Sequence, residues 1–110
     1  MKSRRELDLE LVTAAQAGDM QAFDALVRRY KTRLTRYLST SMRDHGDTED
    51  VAQETLIKAY FGLHSFRGDS SFATWLFRIG INTAKRALVR NRERFPPMAE
   101  LTDETAGSLQ

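Results

Sequence analysis

Apolar residues in this chain recur at helical steps. From about 20 to 42, Phe23, Leu26, Val27, Tyr30, Leu34, Tyr37 and Leu38 follow at intervals of three and four, lining one side of a long helix, while the opposite side carries Arg28, Arg29, Lys31, Arg33 and Arg36. Ahead of it, "LDLELVTAAQA" at 7–17 predicts a shorter helix that Gly18 ends in a left-handed conformation. The polar run "RDHGDT" at 43–48 then interrupts the pattern. Asp47 suits the N-cap of a third helix reaching about 63, with Val51, Leu56 or Thr55, Ala59 and Leu63 on its inner face. A second interruption, "HSFRGDS", leads into a fourth helix over about 72–94, capped by Ser70 or Ser71. Pro96 and Pro97 stop it, and "MAELTDETAGSLQ" behind them has the small, polar, acidic character of a linker or tail. No stretch alternates long enough to predict a strand, and nothing repeats. The expected class is all-α, a compact bundle of three to four helices.

Composition narrows the organisation. A chain of 110 residues that is 41% hydrophobic supports one core but not two, so a single domain is expected over 1–95, with 96–110 as linker. Cysteine is absent, which excludes disulfides and thiolate metal sites and fits a reducing compartment such as the cytoplasm. Glu6, Asp8 and Glu10 break the N-terminal stretch, so it does not read as a signal peptide, and no window approaches the roughly 20 apolar residues of a membrane span. The net charge of +2 says little about partners; its distribution says more.

Three features stand out. Between Phe77 and Phe95 lie Arg78, Lys85, Arg86, Arg90, Arg92 and Arg94 against Glu93 alone. Arg78, Lys85, Arg86 and Arg92 share a broad helical face that can track a phosphate backbone, although cations at a helix C-terminus also simply complement its dipole. In "DTEDVAQE", Asp47, Glu49, Asp50 and Glu54 make an acidic helix start. Such carboxylates stabilise a first turn unaided, yet Asp50, Gln53, Glu54 and Ile57 also fall at the spacing of a polar-plus-apolar docking face for a basic partner. Finally, "SFRGDSSF" offers a ring, backbone donors and hydroxyls beside a helix that carries Trp75 and Asn82, a combination suited to holding an unstacked base. Taken singly, Phe66 and Trp75 read as core aromatics; it is their combination with the turn that points to a base.

Enzymatic motifs are missing. His45 and His64 lack metal-ligand spacing, no glycine-rich phosphate loop or nucleophile elbow is present, and carboxylates such as Glu49 and Glu54 are expected on an exposed helix start without apolar enclosure. No cofactor is expected, and the chain is not read as an enzyme.

The ordered series "AGDMQAFDALVRRY", "DTEDVAQETLIKAY", "SFRGDSSFATWLFRIGINTAKRALVR" and "RERFPP" closely resembles region 2 of the extracytoplasmic-function (ECF) sigma factors of bacterial RNA polymerase, particularly the sigma-E-like branch. The likeness runs over roughly 7–97. In that family the "DVAQE" helix docks on the clamp helices of the polymerase beta-prime subunit, which implies polymerase contact for Asp50, Gln53, Glu54 and Ile57. The "FRGDSSF" turn and "NTAK" helix resemble the part that melts the promoter minus-ten element and holds a flipped non-template base. That implies DNA contact for Lys58, Phe66, Ser70, Phe72 and Asn82, with Lys85, Arg86 and Arg90 on phosphates. The resemblance further implies an anti-sigma factor as a partner, and a linker at 96–110 toward a missing region 4. A different reading makes the domain mainly a docking module for an anti-sigma factor or polymerase, with little DNA readout of its own.

Overall fold

Among the described residues, four helices form where the apolar periodicity puts them. The computed structural model describes residues 1–42 and 44–94; the expectations for Pro96, Pro97, the linker at 96–110 and the Arg92 side chain lie outside the described residues. The order is α1 (Arg4–Gln16), α2 (Met20–Leu38), α3 (His45–Gly62), a 3-10 turn (Leu63–Ser65) and α4 (Phe72–Arg94). No strand occurs among the described residues, in keeping with the all-α expectation.

Helix boundaries follow local hydrogen-bond chemistry, and three of them differ from the sequence reading. α1 begins at Arg4 rather than near Leu7 because Ser3 and Glu6 form a reciprocal capping box: Ser3 Oγ accepts from Glu6 N at 3.1 Å, and Glu6 Oε1 accepts from Ser3 N at 2.8 Å. α2 ends at Leu38 rather than 42, since Ser39 and Thr40 turn their hydroxyls onto the carbonyls of Arg36 and Tyr37 and tighten the last turn. α3 is capped by Asp44 instead of Asp47: its Oδ1 accepts from Gly46 N at 2.8 Å. Gly18 adopts the expected positive φ, 107°, between α1 and α2. For α4, Ser71 is the capping hydroxyl, accepting from Thr74 N at 3.1 Å.

Two apolar layers hold the bundle. Phe23, Leu26, Tyr30, Ala59, Phe66, Phe72 and Leu76 fill one, and Leu34, Leu38, Met42, Val51, Ala84 and Ala87 the other. α3 and α4 meet through small residues, with Thr55 and Thr83 buried and each hydroxyl bonded to its own helix, at Val51 O and Ile79 O. Of the two inner-face candidates, Thr55 is fully buried, whereas Leu56 is only partly so. Gly80 lets α4 approach α2, for a methyl there would sit 3.0 Å from Leu34 Cδ1.

Among the described residues one charged group is buried. Asp8 on α1 accepts the Tyr30 hydroxyl and lies 3.3 Å from Arg29 Nε, so Arg29 is drawn toward α1 instead of remaining on the outward cationic side. Burial, then the bond to Asp8 and its charge, push the Tyr30 phenol up to about 12. A folded-state value above the unfolded value of about 10 means that this contribution is complete below pH 10 and lost as pH rises toward 12. Denaturant unfolding between pH 9 and 12 should therefore show stability falling in the wild type, with a shallower fall in Tyr30→Phe.

Candidate nucleic-acid interface

The segment joining α3 to α4 is shaped by short-range bonds. Ser65 Oγ donates to Gly62 O at 2.7 Å, and Phe66 N to Leu63 O at 3.0 Å; Phe66 is extended, and Gly68 has a φ of 82°, which reverses the chain before α4. Between this turn and the first turns of α4 opens a hollow of about 380 Å³. Ser65, Arg67, Asp69 and Ser70 supply polar groups from the turn, Trp75 and Arg78 from the helix, and Phe66 lines it as well. Half-buried Trp75 is held by its neighbours, with its ring 5.1 Å from Phe66 and 5.8 Å from Phe72, centroid to centroid. Such a hollow offers a planar ligand an aromatic wall, two guanidinium groups and a carboxylate.

The aromatic assignments need correction. Phe66 is 7% exposed and Phe72 2%, and both belong to the core, where Phe72 also meets Tyr30 at 5.8 Å. Neither presents a free face for a base to stack on; Phe66 contributes only to the lining, and Trp75 is the accessible ring. Ser70 does line the hollow, half-buried, with its hydroxyl on Ser71 O at 3.2 Å.

Beyond the hollow, α4 presents a continuous polar stripe. Asn82 is exposed and does not line the hollow, but it stands one turn past Arg78, about 6 Å further along the same helix face. Lys85, Arg86 and Arg90 are exposed and, with Val89, line a second depression of about 420 Å³. Among the described residues no ion pair engages Arg78, Lys85 or Arg86. Arg90 lies 3.6 Å from Glu54 on α3. Lys58 is committed within the protein, its ammonium 3.2 Å from Glu54 Oε2 and donating to Thr83 Oγ1 at 3.3 Å. These bonds brace α3 against α4.

The residues expected to dock a partner all lie on α3. Asp50, Gln53 and Ile57 are exposed, whereas Glu54 is half-buried and offset by Lys58 and Arg90. Sequence reasoning stopped one turn short: Phe61 follows Ile57 at four residues and is 70% exposed, the most open ring among the described residues. Tyr60 stands beside it, 5.1 Å between ring centroids, and Met20 from α2 completes the apolar surface. The i+4 step from Ile57 was the available signal.

Comparison with known proteins locates the chain among relatives. The family model for sigma-70 region 2 matches residues 26–94. The RNA polymerase sigma-H factor of Pseudomonas aeruginosa is 48% identical over 102 residues, covering 93% of this chain and 52% of that protein. The ECF RNA polymerase sigma-E factor of Escherichia coli K12 is 46% identical over 99 residues, covering 90% and 51%. The chain thus spans about half the length of the curated relatives it matches. Among solved structures, an NMR structure of an engineered region 2 of sigmaE in complex with GTAAAA superposes with a TM-score of 0.76 at 42% identity, covering 87% of this chain and 100% of that one.

Proposed function

We propose, because the chain belongs to the sigma-70 region 2 family and to its ECF, sigma-E-like branch, that residues 1–95 form a promoter-recognition domain acting in bacterial transcription initiation from the cytoplasm. In this reading α3 docks on the beta-prime clamp helices of RNA polymerase through Asp50, Gln53, Glu54 and Ile57. The turn before α4 takes a flipped non-template base of the melted minus-ten element into its hollow, Asn82 reads a neighbouring nucleotide, and Lys85, Arg86 and Arg90 follow the phosphates. No catalytic group is required.

The observation that carries this reading is the adjoining of an aromatic-walled polar hollow and an exposed cationic stripe on one side of α4. Extruding a base costs a few kcal/mol and stacking returns about 1 to 3 kcal/mol, so the chain alone holds melted DNA near balance and polymerase supplies the remainder. A second reading, docking of an anti-sigma factor or polymerase with little DNA readout, draws on the exposed apolar surface of Ile57, Tyr60, Phe61 and Met20. One pair of variants separates the two. Asn82→Ala is expected to weaken binding of single-stranded GTAAAA roughly tenfold, the lower end of what a base-directed hydrogen-bond pair contributes, and to leave clamp-helix binding intact. Asp50→Arg is expected to do the reverse. Unchanged strand binding in Asn82→Ala favours the docking reading.

A further inference from the structure

We propose that Gln16, in the last turn of α1, is a positioning residue for base capture; this rests on the reading of the hollow as the base site. The family model begins at residue 26, so α1 lies wholly outside it. Yet Gln16 Nε2 donates to both Leu63 O and Phe66 O, each at 2.9 Å, across 47 and 50 positions of sequence. An amide NH2 has two hydrogens, and both are engaged here. The assignment of nitrogen is chemically forced, since the amide oxygen in its place would face two carbonyl oxygens.

What the clamp fixes is the wall of the hollow. The two carbonyls bracket the 3-10 turn and the start of the extended segment, so they set where the Phe66 ring lies, and that ring supports Trp75. Leu9 of α1 also lies near this turn, its Cδ2 3.9 Å from the position a Cβ on Gly68 would occupy. Asp8 secures α1 to α2 through Tyr30 and Arg29, making the strut rigid. Without the clamp, the turn between Gly62 and Ser71 keeps its local bonds and the burial of Leu63 and Phe66 but loses its hydrogen-bonded registration to α1.

Gln16→Met retains length and bulk and removes both donors, and the 110-residue chain is the test object. In the free protein, amide hydrogen exchange at Phe66–Ser70 should accelerate relative to the core of α2. Affinity for GTAAAA should fall about tenfold, because binding must then re-order a turn that two neutral hydrogen bonds had held in place. A set of GTAAAA strands, each with one abasic position, supplies the readout that a general loss of structure would not move: at the captured position, variant and wild type should bind equally. Unchanged exchange at the turn overturns the clamp. Accelerated exchange with unchanged affinity, or an equal loss on every abasic strand, overturns the positioning role. If the wild type shows no position where removing the base matters, the base-capture reading fails and the proposal with it, while the exchange data still report whether Gln16 holds the turn.

Discussion

Reversing two charges on α4, in Arg78→Glu/Lys85→Glu, should lower the affinity for a minus-ten single strand by about a hundredfold at low salt, with thermal stability nearly unchanged. Arg78 is exposed at the hollow and Lys85 on the face that leads away from it, and no ion pair among the described residues engages either. Losing a screened phosphate contact costs on the order of 1 kcal/mol, and a carboxylate in its place adds repulsion of roughly half that size. Two sites therefore give about 3 kcal/mol, which is the hundredfold effect. The slope of log affinity against log salt should drop by roughly 1.4, from about 0.7 per phosphate on single strands, so variant and wild type converge as salt rises. The control is Arg28→Glu/Lys31→Glu, on the outward side of α2, which alters net charge equally and should have a much smaller effect. Equal losses in both double variants would mean that the chain attracts DNA by overall charge and that α4 is not the contact face.

Much of this interface was legible in the sequence, for an identifiable reason. α4 runs 23 residues, long enough for its period to fix which residues share a face, so the relation of Arg78, Asn82 and Lys85 follows from spacing alone. The turn before it is different. Whether the ring of Phe66 faces solvent or core depends on α1 and α4 closing around it, and spacing within a nine-residue loop does not encode that; the core took both Phe66 and Phe72. The Glu54–Lys58 pair is legible as an i,i+4 spacing, but the bond from Lys58 to Thr83 is not, because Thr83 lies on another helix. Gln16 shows the same limit more strongly, since its acceptors are backbone atoms and carry no side-chain signature. Helix ends misread at Leu7, Met42 and Asp47 share a simpler cause: two or three candidate caps lay close together, and local geometry chose among them.

Placing acid on the apolar end of α3, in Ile57→Asp/Phe61→Asp, should abolish measurable binding to the beta-prime clamp helices, a loss of a hundredfold or more, while leaving strand binding by α4 intact. Ile57 is 51% exposed and Phe61 70%, so neither contributes much to the core and the variant should fold normally. Covering such side chains in an interface yields about 1.5 to 3 kcal/mol each, and exposed aromatics surrounded by polar residues tend to dominate binding energy. The acidic head of the face has a weaker claim. Glu54 already lies 3.2 Å from Lys58 and 3.6 Å from Arg90, so its charge is partly offset before any partner arrives, and Glu54→Gln should cost no more than about tenfold. Asp50 has no such neighbour among the ion pairs of the described residues and should matter more for steering than for final affinity. Calorimetry of the wild type and Glu54→Gln with the isolated clamp helices distinguishes these contributions, because Glu54→Gln should keep the negative heat-capacity change that comes from burying Ile57 and Phe61. Retained clamp binding in Ile57→Asp/Phe61→Asp would restrict polymerase contact to the first turns of α3 and leave the apolar surface to another partner.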